Sequence, residues 1–274
     1  MEDNVPVEIV DTLSNEDYHK DKAIGKSGLD KIHRSMNHFL LPSSVKPSAA
    51  LILGSALHTS FLEPEKFDLL FIKEEKHDGR TKEGKKNKKE FEDRTKHKTI
   101  LTENQWETVK QMHNALSQDK RVQNLFQEGK PEVSLFWDEL DIRCKARPDW
   151  VIGNGRILID VKTTQDASPD PKTGFPKAIF NYRYHVQAAW YSRAATVCYG
   201  EKPESFVFVA VESSEPFNVG VYTLGMASRE EGWQLAIADL RKYKDWLNAP
   251  PEEKHQGYSE EILELEIPPW GFTF

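Results

Sequence analysis

Two aspartates and a lysine around a short apolar hairpin carry the densest chemistry in this chain. The stretch runs from Arg147-Pro148-Asp149 through Trp150-Val151-Ile152, Gly153-Asn154-Gly155-Arg156 and Ile157-Leu158-Ile159 to Asp160-Val161-Lys162. Asn-Gly between two apolar runs is a strong hairpin signal, because both central residues of a type I′ turn need positive φ. With Asn154-Gly155 as the two-residue loop, Gly153 pairs with Arg156 and Ile152 with Ile157. Asp149 then falls opposite Asp160, and Arg147 opposite Lys162. Two carboxylates so placed, with Cβ atoms about 5 Å apart, repel each other. A divalent cation held by oxygen ligands removes that repulsion, and a lysine of the same parity stabilises charge beside it. The plainer alternative is a solvated hairpin face on which the aspartates never meet. The register set by the turn and the parity of Lys162 favour a metal site.

The elements that position these residues follow from spacing. Ser27 and Asp30 form a capping-box pattern, and Leu29, Ile32, Met36 and Phe39 continue it as one helix over 28–40, ended before Pro42. A second helix runs over 48–62 and stops at Glu63-Pro64. Residues 73–98 show no apolar period and read as a flexible loop or an exposed helix, and 103–127 return to helical spacing. After Gly129-Lys130-Pro131, segments 134–137, 142–152 and 156–163 read as three successive antiparallel strands. In this register Pro148 occupies a non-hydrogen-bonded position, where its missing N–H is not needed. A loop over 165–175, a helix over 180–199, strands over 205–212 and 219–224, and a helix over 228–247 follow. The order predicts an α/β domain with one central mixed sheet flanked by helices. Its parts are a helical N-terminal portion (1–130), a sheet-containing core (131–247) and an acidic tail (248–274), with no boundary between independent domains.

Composition bounds the function. The chain has 274 residues, of which 38% are hydrophobic, enough for a substantial core. No apolar run is long enough to span a membrane. Residues Met1-Glu2-Asp3-Asn4 are acidic and lack the apolar stretch of a secretory leader. Cys144 and Cys198 are the two cysteines, too few for a four-cysteine zinc or iron–sulfur site and in keeping with a reducing compartment. Neither has a histidine near it in sequence, so both read as small core residues. These features point to a cytoplasmic protein. The net charge is −7, but Lys73 to Lys98 hold eleven Lys/Arg against seven Asp/Glu, densest at Lys82, Lys85, Lys86, Lys88 and Lys89. Such a segment either tracks phosphates or is simply a solvated run. No phosphate-binding glycine loop, GxSxG elbow or HExxH motif is present.

Pro148-Asp149, ten intervening residues and Asp160-Val161-Lys162 form the pattern PD-(D/E)xK, which resembles the restriction-endonuclease-like nuclease superfamily. Further motifs narrow the resemblance. Ser27-Gly28-Leu29, Gly54-Ser55-Ala56-Leu57-His58, Lys145-Ala146-Arg147-Pro148-Asp149, Asp160-Val161-Lys162-Thr163-Thr164 and Tyr184-His185-Val186-Gln187-Ala188-Ala189-Trp190-Tyr191 look like the RecE exonuclease domain, related to lambda-type and YqaJ-type recombination exonucleases. The resemblance spans about 15–247. It implies processive 5′→3′ digestion of one strand of duplex DNA from an end, with magnesium. It also implies a ring-shaped homo-oligomer, a trimer or tetramer, and a single-strand annealing protein as partner.

The resemblance assigns roles to further residues. His58 is implied as a metal ligand beside Asp149, Asp160 and the Val161 carbonyl, with Gly54 one turn earlier leaving room for the imidazole. An imidazole in the set suits Mn2+ as well as Mg2+. Glu132 stands where the superfamily often supplies another acid, as ligand or as orienter of the attacking water. Gln187 and Tyr191 share one helix face, and the family pattern makes them contacts to DNA or to the active site, joined there by Arg147. Lys85, Lys86, Lys88 and Lys89 are the phosphate-contact candidates. In this reading an ion lowers the pKa of a water that attacks phosphorus, and Lys162 orients that water or stabilises the charge that develops. The competing functions are a structure- or site-specific endonuclease of the same superfamily and a non-catalytic DNA-end-binding module.

Overall fold

The computed structural model describes residues 7–42, 47–254, 257–259 and 261–267. The acidic segment 1–4, and residues 255–256, 260 and 268–274 of the acidic tail, lie outside the described residues. Short polar side chains punctuate the N-terminal half. After β1 (Glu8–Val10), α1 (Asn15–Lys20) starts at Ser14, whose hydroxyl accepts from the Asp17 N–H. The single helix expected over 28–40 is two, α2 (Lys26–Arg34) and α3 (Met36–Leu40). Ser35 causes the break. Its backbone is extended and its hydroxyl accepts from the His38 N–H, so it caps α3 instead of continuing α2. The capping box read at Ser27 is not formed either, because Gly25 is the N-cap, without a side-chain bond, and Asp30 pairs with Lys26 and Arg183.

α4 (Ala49–Leu62) begins at Ser48 and ends at Glu63, as the spacing predicts, and Pro64, at the first helical position, opens a further helix not expected from the sequence, α5 (Pro64–Leu70). Strands β2 (Phe71–Lys73) and β3 (Thr99–Leu101) pair in parallel. Between them, α6 (Lys82–Thr95) settles the basic segment as an exposed helix, capped by Thr81 and anchored by buried Phe91 and Thr95. α7 (Glu103–Gln118) opens on a Thr102/Gln105 capping box. Asp119 then accepts from the Arg121 and Val122 N–H groups and starts α8 (Lys120–Leu125), splitting the helix expected over 103–127. The N-terminal part is therefore mainly helical but contributes three short strands.

The central sheet is mixed, in the order β10 (Val219–Thr223), β9 (Ser205–Glu212), β8 (Ile157–Thr164), β7 (Trp150–Ile152), β4 (Lys130–Pro131). A second sheet holds β1, β5 (Ser134–Glu139) and β6 (Ile142–Ala146). The strand expected over 142–152 is thus two strands in different sheets: β6 pairs with β5, and β7 with β8. Arg147-Pro148-Asp149 makes the crossing. Proline has no N–H for a ladder, and its neighbours use their side chains elsewhere. The hairpin register is as the turn requires, with Ile152 opposite Ile157 and Trp150 opposite Ile159. Asn154 and Gly155 have φ of 54° and 81°.

Parallel pairing of β8 with β9 needs a crossover, supplied by α9 (Phe175–Asn181) and α10 (Tyr184–Tyr199). Both faces of these two strands are covered, which explains the unbroken apolar run 206–211. Leu158, Phe206 and Phe208 pack with Leu29 and Ile32 of α2, Trp190 of α10, and Ile237 and Leu240 of α11 (Met226–Asn248). Ile159, Val161, Val207 and Val209 pack with Leu57 of α4 and Met112 and Leu116 of α7. Asp160 and Lys162 share the parity of Leu158, so they enter the layer built by α10. No helix among the described residues is long and apolar enough to cross a membrane.

Gly155 and Gly200 have nearly the same positive φ, but a Cβ at Gly155 would lie 2.3 Å from the Tyr199 ring, whereas one at Gly200 meets nothing within 4 Å. Gly200→Ala should cost about 1–2 kcal/mol for the backbone conformation alone. Gly155→Ala should cost about 1–3 kcal/mol more through overpacking. Denaturant midpoints check this, and equal losses would contradict the packing role of the hairpin turn.

Candidate active site

β7 begins only at Trp150, opposite Ile159, whereas β8 continues to Thr164, so the edge of β8 is open from Asp160 onward on the β7 side. Buried backbone groups on an open edge still need partners. Val161 finds them in side chains. Its N–H donates to Asp149 Oδ2 (2.6 Å), and its carbonyl lies 2.6 Å from His58 Nε2. His58 Nδ1 lies 3.5 Å from the same Asp149 oxygen. The histidine therefore reaches the sheet edge from α4. Gly54, one turn earlier, approaches Thr163 closely, its notional Cβ 3.5 Å from the Thr163 hydroxyl oxygen.

Glu132 completes this group. It adopts a left-handed conformation (φ 52°), and its N–H donates to the Asp149 carbonyl (3.1 Å). His58, Glu132 and Asp149 each bring a ligand atom within 4.8 Å of the others. The set expected from sequence was His58, Asp149, Asp160 and the Val161 carbonyl, with Glu132 as a further ligand or as orienter of the attacking water. Here Glu132 stands in the cluster, and the Val161 carbonyl is engaged by His58. Asp160 is beside the cluster, its Oδ1 against the Lys162 ammonium and its Oδ2 accepting from the Gln187 amide.

Burial sharpens the electrostatics. Asp149 is buried and next to the Asp160 charge, and both effects push its carboxyl up to about 6. Burial, then the Asp149 charge, pushes Glu132 up to about 8, with Arg147 opposing. Burial pulls the Lys162 ammonium down, but Asp160 and Asp149 outweigh it and hold it above its ordinary value. The result is a crowded carboxylate site with one firmly charged cation at its side. One observation fits a divalent cation here: the carboxylate, carboxylate and imidazole donors of Asp149, Glu132 and His58, with the Asp160–Lys162 pair beside them.

The remaining sequence candidates divide. Gln187 is buried and bonded to Asp160. Tyr191 packs near Phe206, close enough to Asp160, Asp149 and Glu132 for their charges, after burial and Tyr18, to raise its phenol further. Arg147 turns away from Lys162. Its guanidinium donates to the Ser134 hydroxyl and the Leu13 carbonyl and lies over the Tyr18 ring. It ties the crossing segment to the second sheet. Lys85, Lys86, Lys88 and Lys89 are exposed on α6, where Lys86 pairs with Glu90 and Lys88 with Glu92. The structure does not bring them into the carboxylate site. Tyr184 was missed as a site residue: the Lys162 ammonium lies 4.9 Å from its ring centre. It is the first residue of a motif already singled out, but nothing local announces that its ring would face Lys162. The cysteines are as read, Cys144 buried and Cys198 half-buried, with burial pushing both thiols up.

This fold and site define a PD-(D/E)xK domain. The chain belongs to the family described as "PDDEXK-like domain of unknown function (DUF3799)", whose model matches residues 27–262. The crystal structure of a "Putative exonuclease" from Eubacterium rectale superposes with a TM-score of 0.61 at 14% identity, covering 94% of this chain and 96% of that one. At that identity the likeness concerns the fold. A second solved structure, SSO0001, aligns at a TM-score of 0.30 and 16% identity, over 68% of this chain and 85% of that one, and carries no argument. No curated protein matches.

Because Asp149 and Glu132 have raised pKa values, the folded metal-free site retains protons that the unfolded chain has released above about pH 4. Their contribution to stability is thus full at low pH and is lost as pH rises through about 6 and 8. Denaturation in EDTA between pH 5 and 8 should show this decline, and Glu132→Gln should make it shallower. An unchanged slope in that variant would remove Glu132 from the coupled site.

Proposed function

We propose that the protein is a divalent-metal-dependent DNA exonuclease that digests one strand of linear duplex 5′→3′ and leaves a 3′ overhang for recombination by annealing. The observation that carries this reading is the convergence of Asp149, Asp160, Glu132, His58 and Lys162 at the open edge of β8. Those donors would hold Mg2+, and with an imidazole among them Mn2+ as well. A bound cation supplies charge to neutralise the phosphate and acidify a water.

The chain's own residues do the rest. Asp149 is fixed by the Val161 N–H, so its free oxygen has a set direction. Gln187 fixes one oxygen of Asp160, and Lys162 faces the other. With its proton held firmly, Lys162 is a stabiliser of developing negative charge and not a base. Gln187 positions Asp160, and Arg147 positions the segment that carries Asp149. The ring-shaped trimer or tetramer and the annealing partner are part of the proposal through the resemblance of the ordered motifs to the RecE exonuclease domain.

Asp160→Ala or Lys162→Ala should lower hydrolysis at least about 100–1,000-fold with folding intact, and full activity in either would overturn the assignment. Gln187→Ala should lower activity or metal affinity by about 10–100-fold. Linear duplexes labelled at the 5′ or 3′ terminus, incubated with magnesium beside covalently closed circles, separate an exonuclease from an endonuclease and report direction. Loss of the circular substrate would favour the endonuclease.

The lysines of α6 have their own test. Neutralising Lys85, Lys86, Lys88 and Lys89 together should flatten the salt dependence of DNA binding. An unchanged slope would return α6 to a solvated helix, in keeping with the pairs Lys86 and Lys88 make within it.

A further inference from the structure

Beyond Lys162 the strand leads into a cleft of about 600 Å³ between α4 and the α9–α10 junction, with Leu51, Leu53, Thr163, Lys177, Tyr182 and Tyr184 among its lining residues. The junction has an unusual build. Arg183, between the two helices, has φ of 54° and ψ of 41°, a left-handed conformation that residues with a Cβ seldom adopt. It is held there by Asp30 (3.0 Å) and Asp239 (2.5 Å). The consequence is a pair of neighbouring rings. Tyr182 and Tyr184 have centroids 5.6 Å apart at 31°. Tyr184 touches the Lys162 ammonium on the active-site side, and Tyr182 is 62% exposed at the outer end. Lys26 braces the pair, donating to the Tyr182 carbonyl (2.7 Å) with its ammonium 5.8 Å from the Tyr184 ring centre. Leu51 on the opposing helix is exposed as well.

Aromatic faces on one wall, aliphatic side chains on the other and a lysine in the lining are the recognition chemistry of an unpaired nucleotide strand. A base paired within a duplex has both faces covered by the stack and its edge by its partner, so such a cleft takes a base that has left the duplex. Strained backbone held by two carboxylates is also a feature that functional surfaces retain. We propose that this cleft binds single-stranded DNA next to the scissile phosphate, with a base stacking on the exposed Tyr182 ring, which Tyr184, packed against Phe175 and Phe208, backs from the active-site side. The proposal rests on the nuclease reading of the adjoining site for the identity of the polymer. Arg183, through Asp30 and Asp239, acts as the positioning residue for the rings.

The test reads binding without cleavage. The full chain in EDTA is titrated with a labelled oligothymidine single strand and with an abasic strand of the same length and charge. Tyr182→Ala should weaken binding of the thymidine strand about ten-fold or more and leave the abasic strand unchanged, while Tyr182→Phe retains parental affinity for both. Parental affinity of Tyr182→Ala for the thymidine strand would overturn the proposal. So would an equal loss on both strands, or a parent that binds the two strands alike. Since no hydrolysis is read, a chain that proved inactive as a nuclease would still pass or fail this test. Conversely, failure here leaves hydrolysis through Asp160 and Lys162 standing.

Discussion

The open edge of β8 at Val161 is the constraint on which the rest of the structure depends. A buried strand edge must satisfy its N–H and carbonyl groups, and here no neighbouring strand does so. Asp149 takes the N–H and His58 engages the carbonyl, so one residue's backbone links the crossing segment to a helix from the other layer. The same bonds gather negative charge. With Asp149 fixed on that edge, Asp160 alongside and Glu132 folded back onto the Asp149 carbonyl, three acids share a buried space. Burial first, and that crowding of charge second, push the carboxyls of Asp149 and Glu132 up. A site that disfavours its own ionisation without a cation is organised to receive one.

The scaffold around this edge keeps the arrangement rigid. β8 and β9 are covered on both faces, so Asp160 and Lys162 have little freedom to swing away. Gln187 reaches Asp160 from α10, and Tyr184 underlies Lys162 from the same helix's first turn. The α10 start is in turn set by Arg183, whose two carboxylate partners lie on α2 and α11. A short chain of contacts thus runs from the flanking helices to Lys162 and outward to Tyr182. The edge of the carboxylate site and the cleft lined by Tyr182 share one helix junction, set by a single left-handed residue.

Where expectation and structure part, the reason is competition between local and long-range partners. Ser35 and Asp119 look like helix interior by periodicity, yet each uses its side chain to cap a new helix. Residues 142–152 look like one strand because every residue but Pro148 fits a strand pattern. Arg147 is drawn to Ser134 and Asp149 to Val161, and the two halves then join different sheets. Arg147 illustrates the cost of extending a register past a proline: the pairing counted from the turn holds through Trp150, and the arginine side chain is spent on the second sheet.

The sequence by itself determined what depends on a few neighbouring residues. The Asn154-Gly155 turn set the hairpin register, strand parity put Asp160 and Lys162 on one face, and Ser48 and Glu63-Pro64 bounded α4. Such features follow from turn geometry, alternation and capping, which act within one or two turns of chain. The ordered motifs also pointed to His58 and Gln187, but only as a resemblance. Glu132 too was named only through the resemblance, as ligand or orienter; tertiary structure decided that it lies with His58 and Asp149, that Gln187 bonds to Asp160, and that Arg147 faces away. It also decided that Tyr184 and Tyr182 form a wall beside Lys162. Those outcomes depend on which buried polar group reaches which partner across separate elements, and no periodicity along the chain encodes that distance.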